Sequence, residues 1–242
     1  MSPAGSSSSR RPRTRQNDRV SESRFPDPRS ARGDVVALGS RLDVETLRDA
    51  YRHGIFPWPH EEVVLPWFSP RRRSVIFLDE IHVGRTLRKA RKSSTLRFTI
   101  DQAFSDVISS CAASPRPDQD GTWIAGEIIA AYQNFHRAGD AHSIEAWQGD
   151  ALVGGLYGID AGGVFTGESM FFREPDASKL ALLFLADHLR SRGARLIDCQ
   201  VMTPHMKSLG ARLIPRSRFL DLLADAQASG VRLFGQDSKS AD

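Results

Sequence analysis

The chain has 242 residues, of which 40% are hydrophobic, enough to bury a core in one large domain or in a small one joined to a medium one. No apolar run approaches the roughly 18 residues of a membrane span, which excludes an integral helical membrane protein. The pI of 9.4 suggests a nucleic-acid binder, but the charge is uneven: residues 1–33 hold eight Arg against three acids, leaving −1 for the rest of the chain.

Residues 1–33 also hold eight Ser and four Pro, with little to bury, and read as a disordered tail. They lack the apolar stretch of a secretory signal. From residue 34 the pattern becomes that of a folded body. A helix follows Asp43 and runs to about Arg52, with Val44, Leu47, Ala50 and Tyr51 on one face and Gly54 ending it. The proline-dense stretch 54–70 has no regular period, so residues 34–73 form a small N-terminal unit. Strand 74–78, basic helix 84–92 and strand 96–100 come next. Asp101 then caps a helix to Cys111, and a Pro/Asp-rich loop separates it from helix 127–138. Strands 143–148, 152–159 and 164–171 follow as a meander with Gly-rich turns. Helix 177–191, an apolar strand 196–201, a short segment near 205–209 and a helix 216–228 complete the body, with residues 233–242 as a flexible end. The fold class is α+β: a small N-terminal unit followed, over 74–232, by a mixed sheet flanked by helices. A meander followed by a helix and a central strand is the layout of GNAT-like acyltransferases, an analogy of element order alone.

Residues 71–97 carry nine Lys or Arg and two acids, a net +7 on a remaining background of −8. One basic segment on an acidic body is the footprint of a limited phosphate contact, or else a solvated helix face. Arg85, Arg88, Lys89 and Lys92 share one face of the predicted helix. Cys111 and Cys199 belong to no CxxC pair, and no HExxH or Cys/His cluster appears, so no metal site is indicated. There is no Walker loop, no GxGxxG entering a helix and no pyrophosphate loop of the coenzyme-A-using acetyltransferases. An acyltransferase on this fold therefore takes another donor. Asp198 and Gln200 stand at i and i+2 of an apolar strand and share a face. They are either a polar pair aimed into a cleft or an acid satisfied by backbone or Arg. Glu168, beside Gly167, poses the same alternative. Trp58 and Trp123 are stacking platforms for a base, or anchors for their loops.

Eight collinear motifs resemble the leucyl/phenylalanyl-tRNA–protein transferase family. They run from Ala50-Tyr51-Arg52-His53-Gly54-Ile55-Phe56-Pro57-Trp58 through Gly121-Thr122-Trp123-Ile124 and Ala141-His142-Ser143-Ile144-Glu145 to Leu152-Val153-Gly154-Gly155-Leu156. Gly167-Glu168-Ser169-Met170-Phe171, Ala177-Ser178-Lys179, Ile197-Asp198-Cys199-Gln200 and Ser208-Leu209-Gly210-Ala211 follow. The resemblance implies transfer of Leu, Phe or Met from aminoacyl-tRNA to the α-amine of proteins beginning with Arg or Lys. It implies a cytoplasmic monomer with no cofactor, metal or membrane partner. Asp198, Gln200 and Glu168 take the catalytic positions. Leu156, Phe165, Gly167 and Ile197 match the donor side-chain pocket. Trp58 and Trp123 match positions near the tRNA 3′ adenosine, and Arg73, Arg85, Arg88, Lys89 and Lys92 fall in the segment that would meet tRNA phosphates. Phe68 stands where the family has a second Trp, and Arg71-Arg72 where it has Asp-Pro. Two rivals remain open at this point: a non-catalytic tRNA- or degron-binding module, and a related acyltransferase with another donor.

Overall fold

The computed structural model describes residues 23–59, 64–114 and 126–235. Strand β1 (Val35–Leu38) leads to helix α1 (Val44–Arg52), where the Asp43 side chain accepts from Thr46 N at 2.8 Å as its N-cap. Gly54 ends α1 at φ +70°, a left-handed conformation. A Cβ there would also stand 2.7 Å from Leu220 Cδ2, so only glycine lets the chain pass α7 (Arg216–Ser229) this closely.

The proline-dense stretch does form regular structure, contrary to its reading. Strands β2 (Phe56–Pro57) and β3 (Pro66–Phe68) join β1 in a three-stranded antiparallel sheet, ordered β1-β3-β2. Pro66 opens its strand and Pro57 lies on an edge strand, positions where a missing N–H is tolerated.

Strand β4 (Arg72–Phe77) opens a second sheet, so Arg72 and Arg73 are paired in that sheet. After it come α2 (Arg85–Ser93), β5 (Arg97–Ile100), α3 (Phe104–Ala113) and α4 (Gly126–Arg137). The meander is β6 (Ala141–Gln148), β7 (Ala151–Asp160) and β8 (Phe165–Phe172). Helix α5 (Ala177–Ser191), β9 (Leu196–Gln200), α6 (Pro204–Ser208) and β10 (Arg212–Pro215) precede α7. The seven strands order as β10-β4-β9-β8-β7-β6-β5. All neighbours are antiparallel except β8 and β9, joined through α5. Strand β10 escaped the sequence reading, being only four residues before a helix.

One apolar cluster, with Tyr51, Trp67, Phe104, Tyr132 and Phe219, fills the side facing α1, α3, α4 and α7. The other, rich in α5 leucines with Phe165 and Ile197, fills the opposite side. Among the described residues no helix is long and apolar enough to cross a membrane.

Three expectations are revised. Asp101 does not cap α3, whose N-cap residue is Ala103. Its carboxylate accepts instead from Ser143 N at 2.8 Å and sits 2.6 Å from His142 Nδ1, tying it to β6. Residues 23–33 are not a free tail. Phe25 is 7% exposed, with its ring 4.8 Å from that of Trp67, and Arg216 donates to the carbonyls of Ala31, Gly33 and Ser69. At the other end Leu233 is buried and Phe234 stacks on His142 at 3.9 Å, so the chain is held through this point. The remaining stretches read as tails, 1–22 and 236–242, lie outside the described residues.

Candidate active site

The parallel strands β8 and β9 pair at only two positions, Phe165 with Ile197 and Thr166 with Asp198. Beyond that rung they separate. Glu168 and Gln200, each two residues further along, face one another across the gap, and Gln200 Nε2 donates to Glu168 Oε1 at 2.7 Å. On the rung below, Thr166 Oγ1 donates to Asp198 Oδ2 at 3.0 Å. Strand alternation puts Phe165, Gly167, Ile197 and Cys199 on the opposite face. There, with Leu156, Met170 and Leu182, they line a cavity of about 730 Å³ whose wall also includes Glu168 and Gln200. The four expected donor-pocket residues therefore do converge. Gly158 keeps the pocket's Phe165 in place, since a Cβ there would lie 2.5 Å from the Phe165 ring. Gly167 has no such crowding: a Cβ would meet nothing nearer than Asp198 O at 3.8 Å, so close backbone approach is not its role.

Strand β9 is bulged at this point. It pairs with β4 through Val75 to Asp198 and Ser74 to Gln200, leaving Cys199 as an extra residue. Gln200 has φ +60°, uncommon for a residue with a Cβ. Bulges of this kind re-aim side chains beside active sites. Asp198 supports the bulge, because its Oδ1 accepts from Gln200 N at 2.9 Å. Asp198 is 0% exposed and does not line the cavity. Its oxygens also receive Arg73 Nε at 2.7 Å and an Arg73 terminal nitrogen at 2.6 Å. Cys199 does line the cavity, and burial pushes its thiol well above the ordinary cysteine range.

Glu168 is half-buried. Its Oε1 also accepts from Tyr51 OH at 2.8 Å, and Tyr51 OH lies 2.5 Å from Tyr132 OH. Burial lifts the Glu168 carboxyl from its ordinary value to about 7, and the Asp198 charge pushes the same way. Hydrogen bonds from Tyr51 and Gln200 and the charge of Arg73 pull back. The two tyrosines, both buried, are held well above their usual range by desolvation and by Glu168, and remain hydrogen-bond donors. Tyr51 and Tyr132 escaped the sequence reading as site residues. Tyr51 lies inside the 50–58 motif but on the apolar face of α1, where it read only as core.

The other expected site residues are scattered. Arg73 is 1% exposed and paired with Asp198, so its guanidinium is turned inward rather than presented at the surface. Arg85, Arg88, Lys89 and Lys92 are all exposed on α2, which is anchored by the buried Leu87. Trp58 is half-buried against Phe68 at 5.5 Å, edge to face. Trp123 lies outside the described residues.

A polar pair on the wall of a largely apolar cavity, between two diverging parallel strands, is the candidate site of this mixed α+β fold. The family described as leucyl/phenylalanyl-tRNA protein transferase matches residues 75–224, and its N-terminal domain matches residues 40–71. A leucyl/phenylalanyl-tRNA–protein transferase of Pectobacterium carotovorum is 50% identical, over 84% of this chain and 87% of its own length. Relatives bearing the same name from Anaeromyxobacter sp. (strain K) and Nitratidesulfovibrio vulgaris are 49% and 48% identical, over 85% and 86% of this chain and 88% and 90% of their own lengths. The chain belongs to this family and is an aminoacyltransferase that uses aminoacyl-tRNA.

Proposed function

We propose that Glu168 and Gln200 receive the α-amine of a protein beginning with Arg or Lys, and that the apolar cavity holds the side chain of Leu, Phe or Met on its tRNA. The enzyme acts as a monomer in the cytoplasm, where charged tRNA is made, and the new N-terminal residue marks the protein for degradation. The observation that carries this reading is the 2.7 Å bond between Gln200 Nε2 and Glu168 on the cavity wall. It commits the amide nitrogen to Glu168 and leaves Gln200 Oε1 to accept an N–H of the incoming amine.

The amine attacks the ester carbonyl. A C–N bond forms, the bond to the ribose oxygen breaks, and that oxygen leaves with a proton. The proton lost by the amine goes to Glu168, which passes it on to that leaving oxygen. An α-amine titrates near 8 and Glu168 at about 7, so the transfer is close to balanced. Asp198 takes a supporting part in this reading. With four donors already on its oxygens, it acts through the Gln200 backbone. The negative charge of Glu168 favours a cationic acceptor. An apolar pocket separates Leu, Phe and Met only modestly, since one methylene is worth about 1–3 kcal/mol. The exposed cations of α2 suit tRNA phosphates, and Trp58 and Trp123 the terminal adenosine.

The test is incubation with leucyl-tRNA and a peptide beginning with Arg, read by mass spectrometry. A Leu-Arg N-terminus is expected, with an Ala-initiated peptide left unmodified. Equal modification of both peptides overturns the acceptor assignment.

A further inference from the structure

We infer that Arg73 is a positioning residue of the transfer reaction: it fixes Asp198, and through Asp198 the bulge that presents Gln200, while the N-terminal unit fixes Arg73. This rests on the reading that Gln200 meets the acceptor amine.

Each of the three guanidinium nitrogens donates a hydrogen bond. Nε and one terminal nitrogen hold the two oxygens of Asp198 at 2.7 and 2.6 Å in a bidentate fork. The other terminal nitrogen donates to Gly54 O at 3.2 Å. The group also lies over two rings, with the centroids of Phe56 and Phe219 at 4.7 and 4.5 Å. A planar, always-charged fork suits such a place and an ammonium does not.

The next link is Asp198, whose Oδ1 takes both Arg73 Nε and Gln200 N. A carboxylate free to rotate would release that backbone N–H. Gln200, at φ +60°, would then relax out of its strained conformation. Gly54 and Phe56 belong to the small N-terminal unit, whereas Asp198 and Gln200 lie on β9, an interior strand of the large sheet. Arg73 therefore makes the seating of the small unit part of the catalytic geometry.

The experiment compares Arg73→Lys, Arg73→Met, Asp198→Asn and the double variant Arg73→Met/Asp198→Asn with the wild type, each well below its melting temperature. Leucyl-tRNA and an Arg-initiated peptide are the substrates, and transfer by the wild type keeps this test separate from that of the reaction itself. Both Arg73 variants are expected to lose about 100-fold in kcat, the scale of a misplaced reacting group. Their dissociation constants for leucyl-tRNA, and the salt dependence of those constants, should match the wild type. The double variant should be no slower than Asp198→Asn alone, because Arg73 acts only through that carboxylate. It should also melt higher than Arg73→Met, because no buried charge is left unpaired. Losses that multiply in the double variant overturn the proposal, and so does a salt slope reduced by about one, which marks a phosphate contact. If Arg73→Met does not fold, Arg73→Lys decides: wild-type kcat there overturns the proposal, and a slow kcat with unchanged tRNA affinity upholds it.

Discussion

A carboxyl lifted to about 7 by burial is costly for the fold and useful for the reaction, and the two consequences separate experimentally at Glu168. Its folded value lies above the ordinary glutamate value of 4.5. Between those two values the folded chain holds a proton that the unfolded chain has lost. Stability contributed at this position is therefore present below pH 4.5 and is lost as pH rises through 7. Glu168→Gln removes the titration. Melting curves from pH 4 to pH 9 should show the variant close to the wild type at the acid end and more stable above pH 7. A wild type that gains on the variant as pH rises would contradict the burial argument. In kinetics the variant should lose the limb of kcat/KM near pH 7 and keep the limb of the α-amine near 8. The rate should fall by about 10²–10⁴-fold, the usual worth of a general base. Tyr51 and Tyr132 keep Glu168 oriented throughout, since neither gives up its proton in this range.

At the scale of elements, the candidate pair Glu168 and Gln200 exists because two strands part company. The helices, the meander and β9 were legible in the sequence, because apolar period, Asp43 and the glycines mark them locally. The alternation that places Asp198 and Gln200 together was legible too. Their division of labour was not. It depends on β4 returning beside β9, a pairing between residues 125 apart, and on the bulge at Cys199 within that pairing. In sequence Arg73 is the third of three consecutive Arg and reads as surface charge, yet Arg72 is exposed while Arg73 and the three residues after it are buried between the layers of the fold. The basic character of α2 was legible because helical period is local. It also supports a direct test. Lys89 is exposed, and among the described residues its side chain makes no ion pair or hydrogen bond, so Lys89→Gln should leave the fold intact. Leucyl-tRNA binding measured across a salt series should weaken, and its slope should fall by about 0.9 if Lys89 meets a phosphate. An unchanged slope clears this helix face of that contact.

At the scale of the whole molecule, the segment 71–97 is less of a basic patch than its nine cations suggest. Arg73 is spent on Asp198, Arg91 pairs with Asp187, and Arg71 pairs with Asp34. Of the segment's remaining exposed cations, most lie on α2, while the acids that set the background lie over the rest of the body. Residues 23–33 are part of the folded body rather than an appendage. They pack Phe25 under Trp67, accept Arg216 on two carbonyls and set Arg29 against Asp221 at 2.7 Å, so they strap the small unit to α7. Because α7 also supplies Phe219 to the Arg73 sandwich, loosening the strap acts on the same joint that seats Gln200. Phe25→Ala deletes a ring that is 93% removed from solvent, on the 7% exposure of the residue. A cost of about 3 kcal/mol follows from lost transfer energy and the cavity left behind. In a domain of this size that is a fall of roughly 6–12 °C in Tm. A melting temperature equal to the wild type would show that the strap bears no part of the fold. Below the transition, kcat should fall in the variant before global unfolding begins, while affinity for leucyl-tRNA at α2 should not change, because the strap and the basic helix hold different parts of the molecule.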